Sequence, residues 1–190
     1  MTDLIEGPLL WFLNRGSGLV LLVLLTLTLV LGVLAMGGKP GQTVPRFVTQ
    51  RMHRNIGLVS VLAVVLHVVT AVLDTYVDIR WWHAVVPFGA GYEPLWVGLG
   101  TAAVDVILVV VVTSLLRDRL GHRTWHVVHL GAWLSWAFAL AHTLGVGTDL
   151  KSLSAWAVVP TVGCACAVLA AAVVRLTHLV RDPHALRSHP

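Results

Sequence analysis

The sequence predicts an all-α membrane protein, a bundle of about five transmembrane helices. Of the 190 residues, 57% are hydrophobic and 12% are charged, and the mean hydropathy is +0.83. A soluble domain has about 25% charged residues, so a soluble globular enzyme is excluded. The apolar runs are about 18–23 residues long, enough for a helix to cross ~30 Å of hydrocarbon. They lack the alternating pattern of a β-barrel.

Five apolar segments are bounded by charges or by Gly and Pro residues. In lipid each must be helical, because no water is present to satisfy open backbone groups. The whole chain, residues 1–190, is expected to form one transmembrane domain. The predicted spans are Gly18–Met36, Ile56–Val77, Pro94–Leu116, Trp125–Val146 and Leu153–Leu176. The two cysteines, Cys164 and Cys166, lie inside the last span and are expected to be packing residues rather than a disulfide.

The basic residues predict the orientation in the membrane. Ten of the thirteen Lys and Arg residues fall on one side of the bundle, and only Arg15, Arg80 and Lys151 fall on the other. The ten are Lys39, Arg46, Arg51, Arg54, Arg117, Arg119, Arg123, Arg175, Arg181 and Arg187. This bias predicts a multi-pass plasma-membrane protein with an external N-terminus, an uncleaved first span and a cytoplasmic C-terminus. Anionic membrane lipid accounts for the basic pI, so no nucleic-acid partner is expected.

Four histidines stand at matched depths in the second and fourth spans. His53 and His67 are 14 residues apart, which keeps them near one helix face and separates them by about 21 Å. His129 and His142 are 13 residues apart on a span that runs in the same direction. His53 and His129 therefore share the inner level, and His67 and His142 share the outer level. Two imidazoles at each of two levels predict two stacked b-type haems between these helices.

Two alternatives remain open at this point. A histidine in a membrane helix can also bond a neighbouring helix or line a proton path. In addition, 13 residues of ideal helix turn His142 about 220° away from His129. A π-bulge, a kink or different approach angles to the two irons would have to reconcile these directions, and Gly131 lies between the two histidines. His126 is an alternative to His129 as the inner ligand.

Several neighbouring residues fit the haem hypothesis. Arg51, Arg54 and Arg123 lie near the inner level, where they would pair with haem propionates or serve as membrane anchors. Trp133 and Trp136 lie between the two histidine levels and would pack against porphyrin or within the bundle.

Two further features carry expectations. Asp105 falls near the middle of the third span, where it would take up protons or form a neutral structural hydrogen bond. The outer loop Asp78–Glu93 is where an external acceptor would approach, and its His83 is expected to be solvated.

Two stretches of the chain resemble a known family. Arg51–His67 (RMHRNIGLVSVLAVVLH) and Trp125–Asp149 (WHVVHLGAWLSWAFALAHTLGVGTD) resemble the two haem helices of the ferric reductase-like transmembrane domain. NADPH oxidases, yeast ferric reductases and the haem subunit of bacterial periplasmic methionine sulfoxide reductase share that domain. The resemblance covers roughly residues 15–150 and implies the same four axial ligands. Members of the family commonly have six helices, whereas five are predicted here.

The resemblance implies a function as well. The chain is expected to be a membrane subunit of an oxidoreductase, relaying single electrons from a cytoplasmic flavin reductase or other donor to an external acceptor. It has no dinucleotide fingerprint, so it would need that separate donor. The inward loops Gly37–Met52 and Arg117–Thr124 would dock the donor, and FMN is a further candidate cofactor there or on the partner. The alternatives are a quinone-linked cytochrome b anchoring another enzyme, and a non-redox proton-conducting or transport protein.

Overall fold

A computed structural model describes residues 8–36, 45–74 and 77–181, and within these residues it contains helices and no strand. Five helical spans are long and apolar enough to cross a membrane, which agrees with the predicted five-helix bundle. The helices are α1 Pro8–Met36, α2 Arg46–Leu73, α3 Pro94–Leu115, α4 His122–His129, α5 Gly131–Val146, α6 Thr148–Lys151 and α7 Ala155–Arg181, with a 3₁₀ turn at Trp81–Ala84. The predictions made for Lys39, Arg187 and residues 37–44 of the docking loop lie outside the described residues.

The helix boundaries differ from the predicted spans at several ends. α1 begins at Pro8 and α2 at Arg46, ten residues before the spans expected there. Pro8 is well suited to the first position of α1, because it has no N–H to leave unpaired in a first turn, and Pro45 is the N-cap residue of α2. α2 ends at Leu73, before Val77, with Asp74 in an extended conformation. α7 begins at Ala155, because Leu153 has a φ of 55° and cannot belong to a right-handed helix.

The fourth span is broken where the histidine spacing requires it. α4 ends at His129 and α5 begins at Gly131. At the junction the Trp133 N–H donates to the Leu130 carbonyl three residues back, at 3.1 Å, so the regular four-residue repeat is interrupted. The break means that the two histidines of this span belong to two helices. Leu130 itself keeps helical backbone angles (φ −64°, ψ −20°), so the irregularity between the two histidines is local.

The helices pack in an order that leaves a space between two pairs. α1 packs along α2, and α3 packs along α5, while α1 also contacts α5 and α7. The core among α1, α5 and α7 contains Leu22, Leu29, Trp136, Cys164 and Val168. Cys164 is thus a buried packing residue as predicted, while Cys166 is exposed. This core holds the α1–α2 pair against the α3–α5 pair at mid-height.

Candidate functional site: two stacked histidine pairs

The structure brings the four predicted histidines together as two pairs. The ring centres of His53 and His129 are 6.0 Å apart, and those of His67 and His142 are 6.3 Å apart. The ring planes meet at 66° in the inner pair and 83° in the outer pair. Two imidazoles that bind one metal ion from opposite sides, each through a nitrogen ~2.0–2.1 Å away, have ring centres about 6 Å apart. Both pairs therefore have the spacing of opposed axial ligands.

Both histidines of α2 are anchored to α1. His53 Nδ1 donates to the Thr28 carbonyl oxygen at 2.8 Å. His67 Nδ1 lies 3.2 Å from the Asn14 carbonyl oxygen and 3.2 Å from Ser17 Oγ. Since the Ser17 hydroxyl donates to the same Asn14 carbonyl, its oxygen is the acceptor for His67. The Nδ1 edge of each ring thus faces α1.

The other two histidines are anchored to α3 in the same way. His142 Nδ1 donates to the Trp96 carbonyl oxygen at 2.8 Å. His129 Nδ1 lies 3.3 Å from Ser114 Oγ. The Ser114 hydroxyl is much closer to the Val110 carbonyl, at 2.6 Å, so its hydrogen is used there and the arrangement favours the imidazole as donor to Ser114 Oγ. The two pairs therefore lie between an α1–α2 wall and an α3 wall.

The carbonyl partners of His53, His67 and His142 require the proton on Nδ1, and the contact with Ser114 favours the same tautomer in His129. When Nδ1 carries the proton, Nε2 of the neutral imidazole carries a lone pair. Within the described residues, no hydrogen-bond partner occupies any of the four Nε2 atoms. Histidines that bind metals have this arrangement, with Nδ1–H donated to an oxygen acceptor and Nε2 presented to the metal. His83 has the opposite tautomer, since its Nδ1 accepts a hydrogen bond from the Arg80 backbone N–H at 3.0 Å.

Glycines let the neighbouring helices approach three of the rings. A methyl group at Gly18 would lie 3.0 Å from His67 Cε1, and one at Gly32 would lie 3.3 Å from His53 Cε1. A methyl group at Gly100 would lie 2.7 Å from His142 Nδ1, which no real side chain allows. Gly18 and Gly32 are 14 residues apart on α1, the same spacing as the two histidines they face. That repeated spacing was readable in the sequence, but only the structure connects it to the histidines.

The outer pair lines a cavity of about 400 Å³. That volume is within the ~300–1,000 Å³ typical of small-molecule and cofactor sites. The wall also includes Arg15, whose guanidinium pairs with Asp149 and stacks over the Trp11 ring at 4.0 Å. The sequence places Arg15 only among the few basic residues of the outer side, and nothing in its neighbours in the chain connects it to the histidines.

The inner pair has a different set of basic neighbours. Arg51, Arg54 and Arg123, the predicted propionate partners, are exposed, and no hydrogen bond or ion pair connects them to other described residues. Arg175, which the sequence places only among the ten basic residues of one side, lies within α7 and is half-buried, with its guanidinium 5.8 Å from the Trp133 ring centre. It is the arginine that sequence reasoning missed at this level.

His126 does not face His53. Its ring instead lies 6.1 Å from that of His122 and 6.3 Å from that of Trp125. Trp125 stacks on His129 at 5.0 Å and donates its Nε1–H to Ser114 Oγ. The geometry therefore favours His129 over His126 as the inner partner.

The structure also places Trp136 and His83, two residues with sequence-based expectations. Trp136 packs in the bundle core and donates Nε1–H to Thr26 Oγ1 at 2.9 Å, midway between the two histidine levels. The expectation that His83 is solvated is wrong, since it is 5% exposed. It lines the outer cavity, because the 3₁₀ turn packs on α3 and the Thr101 hydroxyl donates to the His83 carbonyl. Trp81 and Trp82 of the same loop are exposed.

The described residues contain no group of three or more His, Cys, Asp or Glu side chains placed to hold a metal ion. Two imidazoles cannot complete a tetrahedral or octahedral shell by themselves. They would suffice for an iron whose other four ligands come from a macrocycle. Two opposed imidazoles are therefore a donor set that fits a haem.

Comparison with known proteins identifies a family for the chain. No curated protein and no solved structure matches it. Residues 9–149 match the family described as Domain of unknown function (DUF8596), a range that contains both histidine pairs and all the helices that anchor them. Because the match covers well over half of the chain, this protein belongs to the Domain of unknown function (DUF8596) family.

Proposed function

We propose that this protein is a membrane b-type cytochrome that relays single electrons across the bilayer, with one haem held by each histidine pair. One observation carries the proposal. In both pairs the rings are about 6 Å apart, every Nδ1 is tied to an oxygen acceptor, and every Nε2 lacks a partner among the described residues. The resemblance to the ferric reductase-like transmembrane domain supports the same ligands.

A bound haem supplies one-electron chemistry, since its iron alternates between Fe(III) and Fe(II). The chain's own part is to hold and separate the two groups. His53 and His67 are separated by about 21 Å along α2. Leu22, Leu29 and Trp136 fill the layer between the levels with buried side chains. A layer of buried, mainly apolar side chains would keep the local dielectric constant low.

The arginines that line the pairs suit the acidic edge of a haem. At the outer level Arg15 lines the cavity beside His67 and His142. At the inner level Arg175 lies over Trp133, one helical turn from His129. A guanidinium pairs strongly with a carboxylate in a partly buried site. Arg15 and Arg175 would therefore hold propionates, and the exposed Arg51, Arg54 and Arg123 would attract a donor.

The direction of electron flow follows from the basic bias. The cytoplasmic end carries most of the arginines, and reduced nicotinamide and flavin pools are cytoplasmic. The donor is a cytoplasmic flavin reductase or similar protein, with FMN as a candidate cofactor at this face. The basic loops would steer an acidic flavoprotein to the inner pair. Electrons would leave at the outer pair to an external acceptor. In this orientation the protein lies in the plasma membrane with its N-terminus outside the cell and its C-terminus in the cytoplasm.

The hydrogen bonds argue against the proton-conducting alternative. A histidine relays protons by accepting at one ring nitrogen and releasing from the other. Here Nδ1 of His53, His67 and His142 ends on a backbone carbonyl, which has no proton to pass on. A quinone-linked cytochrome would keep both pairs and differ only in its donor. The histidine pairs therefore do not distinguish a flavin-linked electron relay from a quinone-linked cytochrome. Identification of the electron donor would distinguish them.

The absorption spectrum of the purified protein tests the proposal. We expect a Soret band that shifts on reduction with dithionite, as low-spin bis-histidine haem requires. NADPH alone should leave the band unshifted, and NADPH with a flavin reductase should shift it. His126→Ala is the matched control, because it removes a histidine of the same helix that faces neither pair, and it should keep the full spectrum. A folded, colourless protein from haem-replete cells would refute the proposal.

A further inference from the structure

Asp105 lies in the middle of a membrane-spanning helix, is half-buried, and is on the side of α3 away from the histidine pairs. It is the twelfth of the 22 residues of α3. Within the described residues its carboxyl makes no hydrogen bond or ion pair. The residues three, four and seven positions later, Leu108, Val109 and Val112, are 60%, 52% and 43% exposed. Since residues at these spacings share a helix face, Asp105 is on the outward face of α3.

The same face has a regular pattern. One line of residues along α3 is spaced by three, four, three and four positions, which is the seam of a two-helix coiled coil. This α3 seam consists of Ala102, Asp105, Val109, Val112 and Leu116, the residue that follows the helix. Val109, Val112 and Leu116 are exposed, Ala102 and Asp105 are half-buried, and the main packing of α3 within the described residues is on α4, α5 and the 3₁₀ turn. The seam therefore has the geometry of an interface without an occupant in the monomer.

A carboxyl group is costly on a surface that faces hydrocarbon. A carboxylate there has no water, and even the neutral acid leaves an O–H donor and a carbonyl acceptor unpaired. In membranes such polar groups hydrogen-bond across helix interfaces, where small residues let the backbones approach. Ala102, one turn before Asp105, is such a residue. The feature that is costly in a monomer is thus favourable in a helix pair.

We infer that the α3 seam joins two copies of this protein in the membrane, with the two Asp105 carboxyls hydrogen-bonded to each other. All copies insert with the same orientation, so two α3 helices related by a two-fold axis run parallel and place Asp105 at equal depth. A protonated carboxyl group donates a hydrogen bond to the carboxyl group of the second copy. Both groups then have a hydrogen-bond partner, and no other residue type is needed. A single polar residue in an apolar seam also fixes the register of the helices.

The interface is separate from the histidine pairs. Gly100, which faces His142, is five residues before Asp105 and is therefore rotated by about 140° around α3. Ser114 and Trp96, which anchor His129 and His142, also face the bundle interior. The dimer consequently does not depend on the proposed haem function, and each can fail without the other.

Cysteine cross-linking in native membranes tests the seam. In a Cys164→Ser, Cys166→Ser background, we expect Val109→Cys to form a disulfide-linked dimer on oxidation. Leu108→Cys is the matched control, since it is the adjacent residue, is 60% exposed against 52% for Val109, and is rotated about 100° around α3 to the flank of the seam. Equal cross-linking at both positions, or none at Val109→Cys, would overturn the inference.

Substitution of the carboxyl gives the second measurement. In lipid nanodiscs or by single-molecule photobleaching, Asp105→Leu should raise the dimer dissociation constant about tenfold, the loss of one interhelical hydrogen-bonded pair. Asp105→Asn should stay close to wild type, because an amide pair also donates and accepts. Haem content per chain should be unchanged in both. A monomeric wild-type protein, or an Asp105-dependent cross-link to a different membrane protein, would contradict a dimer of this chain.

Discussion

The outer histidine pair lies against a cavity of about 400 Å³ that also contains Arg15 and the buried His83. The inner pair lies near the helix ends, with several exposed arginines around it. Both pairs have the same ring spacing and the same tautomers. They differ in what holds the rings in place, and that difference separates the effects of substitutions on the two sites.

Backbone atoms hold the outer pair. His67 and His142 donate to the carbonyls of Asn14 and Trp96, and glycines press against both rings. In the inner pair, His53 donates to a carbonyl but His129 relies on one side-chain oxygen, that of Ser114. The outer site should therefore be sensitive to the fit of the helices, and the inner site to a single hydroxyl group.

The largest expected effect is at Gly100. In Gly100→Ala the new methyl group would lie 2.7 Å from His142 Nδ1, so the ring or α3 must move. We expect the outer haem to be lost in most molecules while the inner haem stays, which a pyridine haemochrome assay would measure as about half the haem per chain. Gly163→Ala in α7 is the control, since its methyl group meets nothing within 4 Å. Full haem content in Gly100→Ala would show that the outer site is not built on this contact.

The next effect contrasts two serines that contact the two pairs. Ser114→Ala removes the acceptor of His129 Nδ1, and loss of such a supporting contact costs about 10–100-fold in metal affinity. Ser17→Ala should have little effect, because His67 keeps the Asn14 carbonyl. Haem titration into apo-protein in detergent would measure both. Equal losses, or a loss confined to the outer haem, would contradict the assigned anchors.

The smallest effect is electrostatic. Arg15→Gln removes a cation from the outer cavity and leaves Asp149 without its partner. A positive charge favours the reduced iron, so its removal should lower the outer midpoint potential by about 60 mV, or ~1.4 kcal/mol for one electron. Arg175→Gln should lower the inner potential instead. A redox titration that moves both potentials equally in either variant would remove these arginines from the two sites.

The sequence predicts the general plan of the site because that plan depends on residue type and spacing. Five apolar segments, and two histidines at each of two depths, are visible without coordinates. The 13-residue spacing of His129 and His142 does not fit one face of a regular helix. The structure has an irregularity between these two histidines, at Leu130. The anchors are not visible in the same way. Every residue has a carbonyl, so nothing in the sequence distinguishes those of Thr28, Asn14 and Trp96.

Other features depend on contacts between distant segments. Arg15 and Asp149 are 134 positions apart and meet only because α1 packs beside the start of α7. His83 is buried because its loop folds onto α3, although its neighbours in the chain are exposed tryptophans. Polar loop composition predicts solvation, and tertiary packing overrides it here.

Haem content in four single variants tests the central claim most directly. The wild-type protein should bind two haems per chain. His53→Ala and His129→Ala should each keep only the outer haem, and His67→Ala and His142→Ala should each keep only the inner one, with identical spectra within each pair. Two haems in any of these variants, or different remaining haems within one pair, would contradict the assignment of the four histidines to two stacked sites.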